Sequence, residues 1–423
     1  MESKKIIQVE EKVPGSMLFP LSLQHMFAMF GASVVVPMIF QINPAIVLLM
    51  NGIGTLLFIL ITKGKAPAYL GSSFAFLAPA GLVISKWGYQ EALGGFIAVG
   101  LGLCILSLII YKCGVKWIDI VLPAAAMGPV VALIGLELAS SAASTAKLIP
   151  SAGHPVQGKD VLVFLVTLLF AVFGNVLFRK FFAVIPILIS IIAGYVTALC
   201  AKVITTADVI KALKTPFFQL PHFQTPHFNL EAIIMIFPVI LVLASEHIGH
   251  QIVTGKIVGK DLLKDPGLHR SLFADGISTM LSGFVGSVPT TTYGENIGVM
   301  AITRVYSVQV LAGAAVLSII AAFIGPVAAL IQTIPGPVIG GISFLLYGMI
   351  GASGIRVMVD GQVDYSRSRN LTLTSVVFVT GLSGISLNIK NVELKGMVLA
   401  CIVGMLLSLA FYIIDKLGLA NDK

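Results

Sequence analysis

Two carboxylates, an imidazole and an amide stand where an apolar chain has least use for them. In Ala244-Ser245-Glu246-His247-Ile248-Gly249-His250 the residues Glu246 and His250 are four apart and share one helical face. Further on, Pro289-Thr290-Thr291-Thr292-Tyr293-Gly294-Glu295-Asn296-Ile297-Gly298, running to Arg304, carries Glu295 and Asn296. A charged side chain at bilayer depth costs about 2.5 to 3.5 kcal/mol on insertion scales, so each such group needs a partner or a task. Burial disfavours charge on carboxylate and imidazole alike, which is the setting in which a proton is traded. The chemistry these residues suggest is proton-coupled binding of a polar solute. No nucleophile and base are paired, so the expectation is a protein that is not an enzyme. A metal site built from Glu246, His247 and His250 is a competing reading, but the His-Glu-x-x-His order is absent and no softer ligand is near. A kinked structural helix with a satisfied acid is another.

Something must hold these groups. The β-branched run Thr290 to Thr292 favours extended backbone, and Gly294 can open a helix after it. The stretch therefore predicts a short strand feeding a half-helix, whose free N–H groups and dipole favour a ligand at its N-terminus. Extended backbone at membrane depth survives only when buried in protein or lining a cavity.

The rest of the chain fits a membrane setting. Of 423 residues 57% are hydrophobic and 11% charged, with mean hydropathy +0.99, which excludes an ordinary soluble domain. The net charge of +8 comes from cations scattered in short loops, so topology explains it better than nucleic acid. Cys104, Cys113, Cys200 and Cys401 lack metal or disulfide spacing and read as packing residues. Residues 1–16 form a polar tail without a cleavage site, so no signal peptide is expected.

Apolar runs near the length of a membrane crossing fall at 17–39, 43–62, 68–85, 91–111, 117–140, 160–179, 181–203, 229–251, 267–285, 288–303, 306–330, 335–355, 370–387 and 394–414. That is about fourteen spans, two of them short and interrupted. With the N-terminus cytoplasmic, most of the 27 Lys and Arg fall in inside loops, among them Lys4, Lys5, Lys180, Lys256, Arg304, Arg356 and Lys423, while Lys390 falls outside. Both termini are then cytoplasmic.

An internal repeat is visible. Gln24-His25 returns as Glu246-His247, Asn51-Gly52-Ile53-Gly54-Thr55 as Asp275-Gly276-Ile277-Ser278-Thr279, Pro67 and Gly71 as Pro289 and Gly294, and Leu122-Pro123 as Ile334-Pro335. An odd number of spans per copy, seven, turns the second copy upside down, the plan in which paired interrupted segments mark a midplane site. The expected domains are a first repeat at 17–203, an external linker at 204–228, a second repeat at 229–415 and a tail at 416–423. Pro67 to Phe76, with Ser73 and Phe74, is the partner of the Pro289 stretch. His25 stands beside the counterpart of Glu246 and reads equally as a site support or as a satisfied core histidine. Glu137 reads as structural or snorkelling, and Tyr347, after Gly340-Gly341, as a residue facing the site from the opposing domain.

At these residues the chain resembles the uracil branch of the nucleobase-ascorbate transporter family, also called nucleobase:cation symporter 2. The resemblance rests on Glu295-Asn296-Ile297-Gly298 through Thr303-Arg304, and on Ser22 to Gly31, Gly71 to Phe76, Glu246 to Gly249 and Thr291 to Tyr306. It covers nearly the whole chain. It implies an all-α polytopic membrane protein with fourteen spans in two inverted repeats, a core domain (spans 1–4 and 8–11) and a gate domain (spans 5–7 and 12–14), paired as a homodimer. It also implies a proton-coupled uracil importer of the bacterial inner membrane with no prosthetic cofactor. Substrate-binding residues are then Glu246, Glu295, Gly294, Phe74 and Tyr347, the last two able to cover a flat ring. Proton coupling falls to Glu295, Glu246 and His250, with His25, Ser73 and Asn296 in support. Uracil is uncharged, so no basic residue is expected in the pocket. A xanthine or purine symporter of the same family, and an anion transporter of similar plan, remain the alternatives.

Overall fold

The computed structural model describes residues 6–150, 155–179, 182–389 and 392–420. Lys4, Lys5, Lys180, Lys390 and Lys423, used in the charge reading, and the tail ends 1–5 and 421–423 lie outside the described residues. The rest is mostly helix. Eight described helical stretches are long and apolar enough to cross a membrane, and Phe74–Lys86, Pro186–Cys200 and Val308–Ala322 are shorter apolar ones.

The N-terminal half holds α1 (Gly15–Ala28), α2 (Phe30–Ile39), α3 (Pro44–Ile61), strand β1 (Leu70–Ser72), α4 (Leu77–Lys86), α5 (Tyr89–Cys113), α6 (Lys116–Val121), α7 (Ala124–Leu136), α8 (Ala139–Thr145), α9 (Gly158–Leu177), α10 (Pro186–Cys200) and α11 (Thr206–Leu213). The C-terminal half holds α12 (Leu230–Ile236), α13 (Val239–Val258), α14 (Leu268–Val285), strand β2 (Thr290–Thr292), α15 (Gly294–Thr303), α16 (Val308–Ala322), α17 (Gly325–Gln332), α18 (Gly336–Asp360), α19 (Ser368–Leu382), a hairpin of β3 (Ser386–Ile389) and β4 (Val392–Lys395), and α20 (Gly396–Lys416).

Several apolar runs that read as single spans are interrupted, for local reasons. The run from 229 breaks at Phe237-Pro238, because Pro238 has no N–H for the preceding turn and instead opens α13. α3 starts cleanly because the Asn43 side chain accepts from the Ala45 amide at 2.9 Å and Pro44 occupies the first turn. The expected linker is tied down rather than loose. Its Gln219, Gln224 and His227 amides donate to the carbonyls of Phe323, Val285 and Gln90 at 3.0, 3.2 and 2.9 Å.

The helices pack in two groups. α1, α3, α5, α14 and α16 lie against one another, and so do α7, α9, α10, α18, α19 and α20, while α13 touches members of both. Glycine faces bring the backbones close in each: a Cβ on Gly100 of α5 would stand 2.5 Å from the Met280 amide of α14, and one on Gly135 of α7 would stand 2.9 Å from the Gly351 amide of α18. Glu137, at the end of α7, accepts the Met397 amide at 2.9 Å in the first turn of α20, so this intramembrane acid serves as a cap.

β1 and β2 pair antiparallel, Leu70 with Thr292, Gly71 with Thr291 and Ser72 with Thr290. The ladder extends one bond at each end, where the Tyr293 amide donates to the Tyr69 carbonyl (3.0 Å) and the Ser73 amide to the Pro289 carbonyl (2.9 Å). Tyr293 thus stands to Tyr69 as Ser73 stands to Pro289, which makes Phe74 and Gly294, the first residues of the two following helical segments, counterparts. The sequence repeat pairs Gly71 with Gly294; the ladder's hydrogen bonds set a different register, because proline and glycine identities constrain alignment less than backbone pairing does.

Candidate functional site

Each strand is anchored to the helix before it. The Leu70 amide donates to Thr55 Oγ1 of α3 (2.9 Å), and Thr279 Oγ1 of α14 donates to the Thr290 carbonyl (2.8 Å) while Ser278 and Thr290 hydroxyls meet at 2.6 Å. These bonds occupy polar groups that the surrounding apolar core could not solvate. With both strands fixed, the 3-10 turn Phe74–Phe76 leading into α4 and the helix α15 both begin at the edge of the same space, which Phe74, Gly294 and Glu295 line.

That space is a cavity of about 560 Å³, within the range of small-molecule pockets. It lies where the two helix groups meet: Ser72 and Phe74, Glu246 and His250 of α13, Thr292 and the first turn of α15 line one side, and Val131, Asn175, Ile187, Met349 and Ser353 the other. Glu246, His250 and Glu295 are half-buried and Gly294 is exposed. One carboxylate oxygen of Glu246, Oε2, is buried without a hydrogen-bond partner among the described residues. A buried acceptor left open in this way costs free energy unless a ligand or proton engages it. His250 is oriented by a contact between its Nδ1 and Thr292 Oγ1 at 3.1 Å, and its Nε2 lies toward Gly294, where a Cβ would approach it to 3.4 Å.

The supporting residues sit behind this layer. Asn296 is fully buried, and its Nδ2 reaches both the Nδ1 and the carbonyl of His25 at 3.0 Å, tying α15 to α1. Ser73 contributes the ladder bond described above. Tyr347 does not line the cavity; its ring meets Phe74 edge-on with centroids 5.6 Å apart, joining the two sides.

His247 faces away from the cavity. It is buried between Asp275 Oδ2 (3.0 Å from Nδ1) and Ser271 Oγ (2.9 Å from Nε2), so it does not join Glu246 and His250 as a ligand. Among the described residues no group of three or more His, Cys, Asp or Glu could hold a metal. Asp275, an aspartate in an apolar segment, is by that fact alone a signal of function or pairing, and here it is paired with His247. The expectation of a pocket free of basic residues is corrected: Arg356 lines the cavity from the last turns of α18, its Nε 3.5 Å from Asp360, which also meets Lys256 of α13 at 3.4 Å.

Comparison with known proteins places this architecture. A family model described as a permease family matches residues 16–390. The chain is 54% identical to the uracil permease of Paenibacillus larvae subsp. larvae over 421 residues, 99% of each chain. It is 54% identical to the uracil permease of Escherichia coli K12 over 98% of this chain and 96% of the relative, and 44% identical to that of Bacillus subtilis 168 over 92% and 91%. Among solved structures it resembles the transmembrane domain of the cyanobacterial bicarbonate transporter BicA (TM-score 0.64, 13% identity, 95% of this chain and 100% of that one). It also resembles the murine Slc26a9 anion transporter in its inward-facing state (TM-score 0.71, 11% identity, 96% and 69%). At such identities these two establish the fold alone.

Proposed function

The chain belongs to the permease family, and on that premise we infer that it is a uracil transporter, carrying the base together with protons by alternating access. Two curated relatives at 54% identity over nearly the full chain are uracil permeases, which supports the substrate. The observation that carries the site is that Glu246, whose Oε2 is buried and unpartnered among the described residues, lines a cavity at which the two helical segments after the strands begin. Uracil presents imide N–H groups flanked by carbonyl oxygens. Carboxylates of Glu246 and Glu295 accept from its nitrogens, while the amides of Gly294 and Phe74 donate to its oxygens. The Phe74 ring, held by Tyr347, covers the base. His250 supports the site and, with the two acids, handles the coupling proton. No prosthetic cofactor enters this scheme.

The helix group of α1, α3, α5, α14 and α16 corresponds to the core domain and that of α7, α9, α10, α18, α19 and α20 to the gate, in fourteen spans and two inverted repeats. Thr55, which accepts from the Leu70 amide, and Thr279, which donates to the Thr290 carbonyl, each anchor the strand that follows their own helix, which supports that symmetry. Arg356 and Lys256 stand at the end that the positive-inside rule assigns to the cytoplasm, which supports an inward-open cavity and cytoplasmic termini in an inner membrane. Homodimerisation through the gate completes the reading. Two acids in the pocket weigh against an anion as substrate.

Uptake of labelled uracil into proteoliposomes, with and without an inward proton gradient, tests it, with Glu246→Ala as control. Gradient-stimulated uptake lost in the variant is the expected result. Uptake indifferent to the gradient overturns the coupling, and no uptake by folded protein overturns the substrate.

A further inference from the structure

The two strands that aim the half-helices are only three residues long, and a two-stranded ladder of that length is marginal by itself. The side-chain bonds of Thr55, Ser278 and Thr279 hold each strand to its own preceding helix and do nothing to fix one strand against the other. Among the described residues one side-chain hydrogen bond crosses between them: the Tyr293 hydroxyl donates to the Ser72 carbonyl at 3.1 Å. Tyr293 is the residue immediately before α15, and Ser72 lies just before the turn that begins at Phe74. The tyrosine ring lies across Gly71, where a Cβ would stand 2.6 Å from Cε2 and 2.8 Å from Cδ2. Both Tyr293 and Ser72 are buried and border the cavity. The other strand offers no equivalent: Ser73, the ladder counterpart of Tyr293, has a hydroxyl too short to cross, and it is buried without a partner.

We propose that Tyr293 is a positioning residue whose phenol, laid over Gly71 and bonded to the Ser72 carbonyl, fixes the spacing between the two half-helix N-termini. The inference rests on the reading that uracil binds between those termini. A rigid planar base needs donors from Gly294 and Phe74 and the Glu295 carboxylate at one fixed separation. A ladder free to shear by a fraction of an ångström loses part of each bond. The hydroxyl is already engaged with backbone, so its contribution to binding is made through geometry.

The test uses the full-length transporter, with uracil binding measured by calorimetry and KM and Vmax measured in proteoliposomes. Tyr293→Phe keeps the ring and removes the bond. The expected result is a Kd and KM raised about threefold to tenfold, the size of one neutral hydrogen bond, with Vmax unchanged. Gly71→Ala, which displaces the ring, raises KM at least as much. The double variant is no worse than Gly71→Ala alone, because both act through one contact. Wild-type affinity in Tyr293→Phe overturns the proposal, as do additive effects in the double variant or a fall in Vmax and thermal midpoint with KM unmoved, which marks a merely structural bond. Should Gly71→Ala fail to fold, Tyr293→Phe decides alone. Failure of the wild-type protein to bind uracil at all strikes instead at the substrate reading and is visible before any variant is made.

Discussion

The two helical segments that follow the paired strands and border the cavity contribute unequally. The segment after β1 offers backbone and an aromatic ring: Ser73, Phe74, Ala75 and Phe76 carry no charge. The segment after β2 offers the same backbone geometry and adds Glu295, Asn296 and the clamping Tyr293. The same inequality separates α1, with Gln24 and His25, from α13, with Glu246, His247 and His250. Both segments border the cavity, but its carboxylates and imidazole come from α13 and the segment after β2, while the segment after β1 brings backbone and an aromatic ring.

The sharpest way to break this comparison is to remove acids from the rich side and amides from the poor one. Glu246→Ala and Glu295→Gln should each abolish measurable uracil uptake, while Gln24→Ala, at the position matched to Glu246, should leave uptake within a few-fold of wild type. Equal losses in all three would mean that the two sides share the chemistry. Next in size is the buried pair behind the site. His247→Ala strands Asp275 in the core and should destabilise the protein by about 3 to 5 kcal/mol, read as loss of the folded fraction on thermal denaturation in detergent. Asn51→Ala, matched to Asp275, removes the hydrogen bond that the Asn51 Nδ2 donates to Ser33 Oγ and should cost about 0.5 to 1.5 kcal/mol.

A smaller effect sharpens the role of the support layer. Asn296→Ala cuts both contacts to His25 and should lower stability by about 1 to 3 kcal/mol in total, with a raised KM for uracil because α15 is no longer held against α1. An unchanged KM would confine Asn296 to the fold. The smallest expected effects test where the two sides should be alike. Thr55→Val and Thr279→Val each remove a strand anchor and should each cost about 1 kcal/mol. A clear difference between them would show that the two strands are not held equivalently.

The N-terminal segment adds a feature that spans and loops did not suggest. Ile7 bonds to Arg304 and Tyr306, Val9 to Val308, and Ser307 to the Glu11 carbonyl, so residues that read as a free polar tail lie along the chain just beyond α15. Glu10 adds an exposed contact to Lys260 at 3.4 Å. Polarity marks a segment as outside the membrane but says nothing about what its backbone pairs with.

What the sequence by itself determined follows from local rules. Hydropathy placed the chain in a membrane, because no other solvent tolerates so much apolar surface. Stranded charges identified Glu246, His250 and Glu295, because burying them without a task is costly. The threonine run before Gly294 marked the strand and the helix start, because β-branching and a missing Cβ act on their own backbone. Tertiary structure alone decided the rest. It turned His247 toward Asp275 and His250 toward the cavity, brought Arg356 to the lining, moved Tyr347 behind Phe74 and laid Tyr293 across Gly71. Each of these depends on the rotation of one helix or strand against another, and that is fixed by packing between separate segments of the chain, which no local pattern encodes.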